Sequence, residues 1–77
     1  MTKEKATVFI EELTDMVEVS DPCVFGTLSE DFEALEIALT SGNTTLIFAM
    51  ASYIGNCRGL LNAKEVAQAI SSKAPHA

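Results

Sequence analysis

An all-α fold, a small bundle of about four helices, follows from three features of this 77-residue chain. Apolar residues recur at the 3–4 spacing of a helix face in four separate segments. Short stretches holding proline, glycine or asparagine divide those segments. The length suits one domain with a modest core, and dimerisation would be one route to further burial.

The first helix is expected from Lys3 to Val17, with Ala6, Phe9, Ile10, Leu13, Met16 and Val17 on its inner face. Ser20-Asp21-Pro22 should stop it, because proline lacks an N–H and biases the residue before it out of the α region. A connector to Gly26 follows, with Val24 and Phe25 tucked beneath it. Thr27-Leu28-Ser29-Glu30 fits a capping box, so the second helix is expected to start at Thr27 or Ser29. Its core stripe is Leu28, Phe32, Leu35 and Leu39, supported by Ala34 and Ala38, and Gly42 closes it.

Asn43 or Thr44 is expected to cap a third helix that runs to about Arg58 and ends at Gly59. The stretch from Leu46 to Ile54 is apolar on nearly all sides, the pattern of a central helix. Gly55 within it reads as a close helix–helix contact. The fourth helix has the clearest start: Asn62 as N-cap, Glu65 three residues on, and Leu61 and Val66 as a hydrophobic staple. Ala63, Val66, Ala67 and Ile70 should face inward. Residues 1–72 then form a single helical domain and 73–77 a flexible tail.

Charge is sorted along the chain. Ten of the eleven acids lie in residues 1–36, against only Lys3 and Lys5. Glu11, Asp15 and Glu18 repeat at i, i+4 and i+7 on the outer side of the first helix. Asp21 lies in the connector, and Glu30, Asp31, Glu33 and Glu36 surround the second helix. These eight acids are the candidate partner-binding residues. A net charge of −6 with five scattered cations disfavours direct nucleic-acid contact and attachment to anionic membrane, and favours a protein partner with a basic surface. No run of 18 apolar residues occurs, so no membrane span is expected. The charged start MTKEKATVFIEEL does not fit a secretory signal, and two cysteines at no metal-like spacing fit a reduced, cytoplasmic protein.

The run FEALEIALTSGNTTLIFAMASYIGNCRGL, followed by AKEVAQAIS, resembles the addiction-module antidote proteins, small bacterial antitoxins with a helix-turn-helix fold. The matching residues are Ala38-Leu39, Gly42-Asn43, Leu46-Ile47, Arg58-Gly59 and Val66-Ala67. The resemblance spans residues 28–71 and implies a truncated helix-turn-helix domain. The family pattern needs a turn after Ala67, with glycine where this chain has Ser71, and then a recognition helix. Only six residues follow Ser71, so the resemblance implies that DNA reading is lost and a protein-binding role is kept.

Catalytic chemistry has little to stand on. His76 is the sole histidine, next to last in the tail, and Cys23 and Cys57 alone do not complete a zinc site. The carboxylates sit on solvated helix faces, not in a pocket that would shift a pKa. No enzyme activity, cofactor or metal is expected. The expected function is a non-enzymatic, acidic protein-binding regulator or inhibitor of phage or mobile-element type, which neutralises a partner. One alternative is a DNA mimic of anti-CRISPR or anti-restriction kind that occupies a DNA-binding groove; another is a DNA-binding regulator of the antidote family. A homodimer is a further possibility, through whatever of Val8, Ile37 and Ile47 stays exposed.

Overall fold

The computed structural model describes residues 1–75, so His76 lies outside the described residues. It is all-helical: α1 (Lys3–Met16), α2 (Pro22–Ser41), α3 (Thr44–Gly55) and α4 (Ala63–Ser71). Among the described residues the only β pairing is an isolated antiparallel bridge between Val19 and Leu60. Each helix packs on the next in sequence, most extensively α3 on α4.

α1 starts where the Thr2 hydroxyl accepts a hydrogen bond from the Lys5 N–H at 3.2 Å. It ends near the expected residue, with Val17 turning to extended backbone. α2, however, starts five residues before Thr27. The Asp21 carboxylate accepts from the Cys23 N–H at 2.8 Å, and Pro22 takes a first-turn position where its missing N–H costs nothing. The expected capping box is not used. Thr27 Oγ1 donates to the Cys23 carbonyl and Ser29 Oγ to the Phe25 carbonyl, both four residues back within a continuing helix. Phe25 is therefore on a helix and 38% exposed, not tucked beneath a connector.

Gly42 ends α2 with φ +68°, a left-handed value that suits glycine, and the Asn43 N–H donates to the Ala38 carbonyl. Asn43 then caps α3, accepting from the Leu46 N–H at 3.1 Å. α3 stops at Gly55 and not at Arg58. Gly55 and Asn56 are weak helix formers, and the Asn56 side chain turns back to donate to the Ser52 carbonyl at 2.8 Å. Gly55 does mark a close helix contact: a Cβ placed there would stand 3.0 Å from Ala67 Cβ on α4.

Asn62 does not cap α4 through its side chain. Instead its amide spans to the connector after α1. Nδ2 donates to the Met16 carbonyl at 2.9 Å, and Oδ1 accepts from the Glu18 N–H at 2.9 Å. Two backbone bonds flank this clasp, from Leu61 N–H to the Glu18 carbonyl at 2.7 Å and from Ser20 N–H to the Gly59 carbonyl at 2.9 Å. The clasp satisfies a carbonyl that the end of α1 would leave unpaired. It also sets the register of residues 59–62, so Leu60 is buried at 6% and Leu61 is 67% exposed. The Leu61–Val66 staple is thereby replaced by burial of Leu60.

The core joins Ala6, Phe9 and Leu13 of α1 to Leu28, Phe32, Leu35, Ala38 and Leu39 of α2. Ile47, Ala51 and Ile54 of α3, Leu60, and Val66 and Ile70 of α4 complete it, with Ala74 also buried. Ala74 thus packs in the stretch expected as tail, and Lys73 Nζ lies 5.3 Å from the centre of the Phe9 ring, within cation–π range. Ala34 is exposed, outside the expected stripe.

α3 is not enclosed. Leu46, Phe48 and Tyr53 are 39%, 49% and 63% exposed. A helix sandwiched between neighbours needs about 8–10 Å to each side, whereas the molecule measures 36 × 21 × 16 Å. The shortest dimension leaves room for two helical layers, so every helix keeps an outer face.

Asn62→Ser separates clasp from cap, because serine is as good an N-cap but too short to bridge. The expected cost is about 2 kcal/mol in chemical denaturation, similar to Asn62→Ala; a neutral Asn62→Ser would assign the residue to capping. Gly59→Ala should cost at least about 2 kcal/mol. Gly59 has φ +90°, and an added Cβ would meet Val24 Cγ2 at 2.7 Å and Ser20 Oγ at 2.9 Å.

Candidate functional site

The eight candidate acids divide into three groups once placed on the fold. Two serve the fold itself. Asp21 caps α2, and Glu36 is half-buried with Oε1 2.8 Å from Thr7 Oγ1. The single Thr7 proton is also within reach of the Lys3 carbonyl at 2.9 Å, and the charged carboxylate is the stronger acceptor. That contact pins α1 against α2 across the hairpin.

Asp31 belongs to a different surface. It is half-buried in an open groove between α2 and the end of α3, lined by Thr27, Ala49, Ser52, Tyr53, Asn56, Cys57 and Arg58. Its Oδ2 is buried and has no hydrogen-bond partner among the described residues. Burial pushes the Asp31 carboxyl above its usual range, and the neighbouring Glu30 charge adds to the rise.

Glu11, Asp15, Glu18, Glu30 and Glu33 are exposed. Glu11 and Asp15 lie on the outer side of α1, away from Ala6, Phe9 and Leu13; Glu30 and Glu33 lie on the outer side of α2, away from Leu28, Phe32 and Leu35. Glu18 extends this surface past the end of α1, where its backbone is fixed by Asn62 and Leu61 while its side chain stays in solvent. The hairpin of α1 and α2 therefore presents these five carboxylates, together with the exposed Glu4 and Glu12 of α1, on backbone held rigid by helices and clasp.

The expected apolar alternative surface changes as well. Val8 and Ile37 are 53% and 70% exposed, but Ile47 is fully buried. The exposed apolar side chains Leu46, Phe48 and Tyr53 were hidden in the sequence by the overall hydrophobicity of α3. The interleaved Thr45, Ala49, Ser52 and Asn56, at i, i+4, i+7 and i+11, are the signal of an outer face.

Cys23 is exposed and Cys57 half-buried, both as free thiols. Among the described residues, no three His, Cys, Asp or Glu side chains gather as a metal site. No described helix is long and apolar enough to cross a membrane.

Asp31→Asn is expected to raise the melting temperature at pH 7. A carboxyl whose pKa is higher in the folded state stabilises the fold at low pH, and that contribution is lost as pH rises through the folded value. The gain from Asp31→Asn should therefore shrink on acidification and vanish below the ordinary aspartate value of 3.8. A pH-independent difference in thermal scans would mean that the charge is not its source.

No protein-family model, curated protein or solved structure matches the chain.

Proposed function

We propose that the chain is a non-enzymatic, protein-binding regulator or inhibitor whose working surface is the outer face of the α1–α2 hairpin. The observation that carries this reading is the set of exposed carboxylates there, among them the candidates Glu11, Asp15, Glu18, Glu30 and Glu33, which remain once Asp21 and Glu36 are used by the fold and Asp31 is set apart in its groove. A surface of one charge sign attracts a partner of the other, raising association rate and excluding acidic competitors. The partner is a protein with a basic surface, and neutralising that partner is the action the antitoxin resemblance implies. Direct contact with nucleic acid or anionic lipid is opposed by the same charge.

The test uses the chain as bait for proteins of a bacterial lysate at low salt. The combined variant Glu11→Gln, Asp15→Asn, Glu30→Gln and Glu33→Gln should bind the captured protein at least about tenfold more weakly. Glu65→Gln, which changes the acid on α4, should leave binding unchanged. Capture that persists in the combined variant overturns the assignment of this face. Competing duplex DNA tests the mimic reading: displacement of the chain by DNA, with affinity falling steeply from about 50 to 200 mM salt, identifies a DNA-binding groove as the target. A mobility shift of DNA by the chain alone would instead support the DNA-binding regulator.

A further inference from the structure

The turns that follow α4 bring the end of the chain against α1. The Lys73 N–H donates to the Ile70 carbonyl at 3.0 Å and the Ala74 N–H to the Ser71 carbonyl at 3.2 Å. Ala74 is thereby buried, while Lys73 stays exposed with Nζ 5.3 Å from the centre of the Phe9 ring. Lys73 also borders a hollow on α1 whose lining includes Glu4, Lys5, Val8, Phe9 and Glu12. Glu4, Val8 and Glu12 stand at i, i+4 and i+8, so two exposed carboxylates flank the hollow along one line of the helix. An aromatic face with carboxylates beside it attracts an ammonium group through the ring quadrupole and through charge together.

We propose that this hollow is a lysine-binding site which the chain's own Lys73 fills in the free state, and that a basic partner docks a lysine there by displacing it. The inference rests on the reading of the α1–α2 hairpin as the surface for a basic protein, and adds to it an anchor point and a built-in competitor. The chemistry of the incoming group is that of the group already present, an alkylammonium chain over the Phe9 ring. A cation over a ring at an exposed site is held weakly. An incoming lysine that gains the same ring, with further ion pairs along the hairpin, therefore replaces it. Ala74 keeps its place in the core, because only the Lys73 side chain has to swing away. Self-occupancy lowers the apparent affinity of the site by the fraction of molecules in which it is open.

Nuclear magnetic resonance of the full chain at low ionic strength, with hexalysine as probe, tests both parts. In the free chain the Lys73 Cε protons should resonate upfield of those of the other lysines, shifted by the Phe9 ring current. Hexalysine should return them to the ordinary lysine position, with the same midpoint as the shifts it causes at Glu4 and Glu12. Lys73→Gln should bind hexalysine about two- to fivefold more tightly than Lys64→Gln, which removes an equal charge on α4. Lys73 protons at the ordinary position in the free chain overturn the proposal. Equal affinity of the two variants also overturns it, since net charge alone then sets the binding. If hexalysine moves Glu11, Asp15, Glu30 and Glu33 while Lys73 stays upfield, the hollow is not a site and the acidic hairpin keeps its role. No response to hexalysine at any position removes the hollow as well, and the hairpin is then judged by its own capture experiment.

Discussion

Asn62 joins two segments that the sequence separates by more than forty residues, using both ends of one amide. Its donor closes the carbonyl end of α1 at Met16, and its acceptor holds the Glu18 N–H. Backbone bonds from Leu61 and Ser20 stand on either side. The pairing fixes residues 16–20 against 59–62, and every later placement depends on that register. Leu60 turns inward because Leu61 donates to Glu18. Ser20 and Val24 close over Gly59, which alone can take φ +90° without a side chain between them. Asp21 is delivered to the start of α2, and the hairpin of α1 and α2 is anchored at its turn. Without the clasp, the acidic hairpin would be held to α3 and α4 by the Gly42–Asn43 turn and by apolar contact, which does not specify register.

The clasp also accounts for how the surface is divided. The hairpin uses Ala6, Phe9, Leu13, Leu28, Phe32 and Leu35 inward and turns its free carboxylates outward. α3 and α4 close the other side of the core, and the Gly55–Ala67 approach brings them near enough to share Ile47, Ile54, Val66 and Ile70. The result is thin, about two helices deep. One broad surface is acidic, whereas the outer face of α3 has no charged side chain of its own and borders Asp31 and Arg58. Asp31 lies at the edge between the two surfaces, where burial and Glu30 disfavour its charge.

Much of this was legible in the sequence, and the misses share a cause. The four helices and the core positions of α1, α2 and α4 follow from local periodicity, since Leu13, Leu28, Leu35, Leu39, Val66 and Ile70 recur at helix-face spacing, whereas Ile47, Ala51 and Ile54 of α3, Leu60 and Ala74 are not singled out. The misplaced features are those where a residue could satisfy two local motifs. Asn62 fits an N-cap, yet its amide is more useful across the chain, where it pairs both a carbonyl and an N–H. Thr27 and Ser29 fit a capping box, yet Asp21-Pro22 upstream offers an earlier start and the hydroxyls fold back on the helix. α3 looked central because apolar residues surround its axis; the stripe of Thr45, Ala49, Ser52 and Asn56 was the sequence signal of an outer face, and the thinness of the assembled molecule shows why one side must face out. The candidate acids were legible by type but not by duty. Pro22 marks Asp21 locally as a cap, but nothing local distinguishes Glu36, which holds the fold together, from Glu11 and Glu33, which do not.

The register set by the clasp is tested most directly by native-state amide hydrogen exchange at Glu18, Ser20 and Leu61. These three N–H groups sit in a connector and would be labile if the segments merely lay side by side. If the clasp organises the fold, they exchange only on global unfolding, with the same apparent free energy as amides in the middle of α2 and α3. Fast exchange at Glu18, Ser20 and Leu61, while those helix amides stay protected, would contradict it.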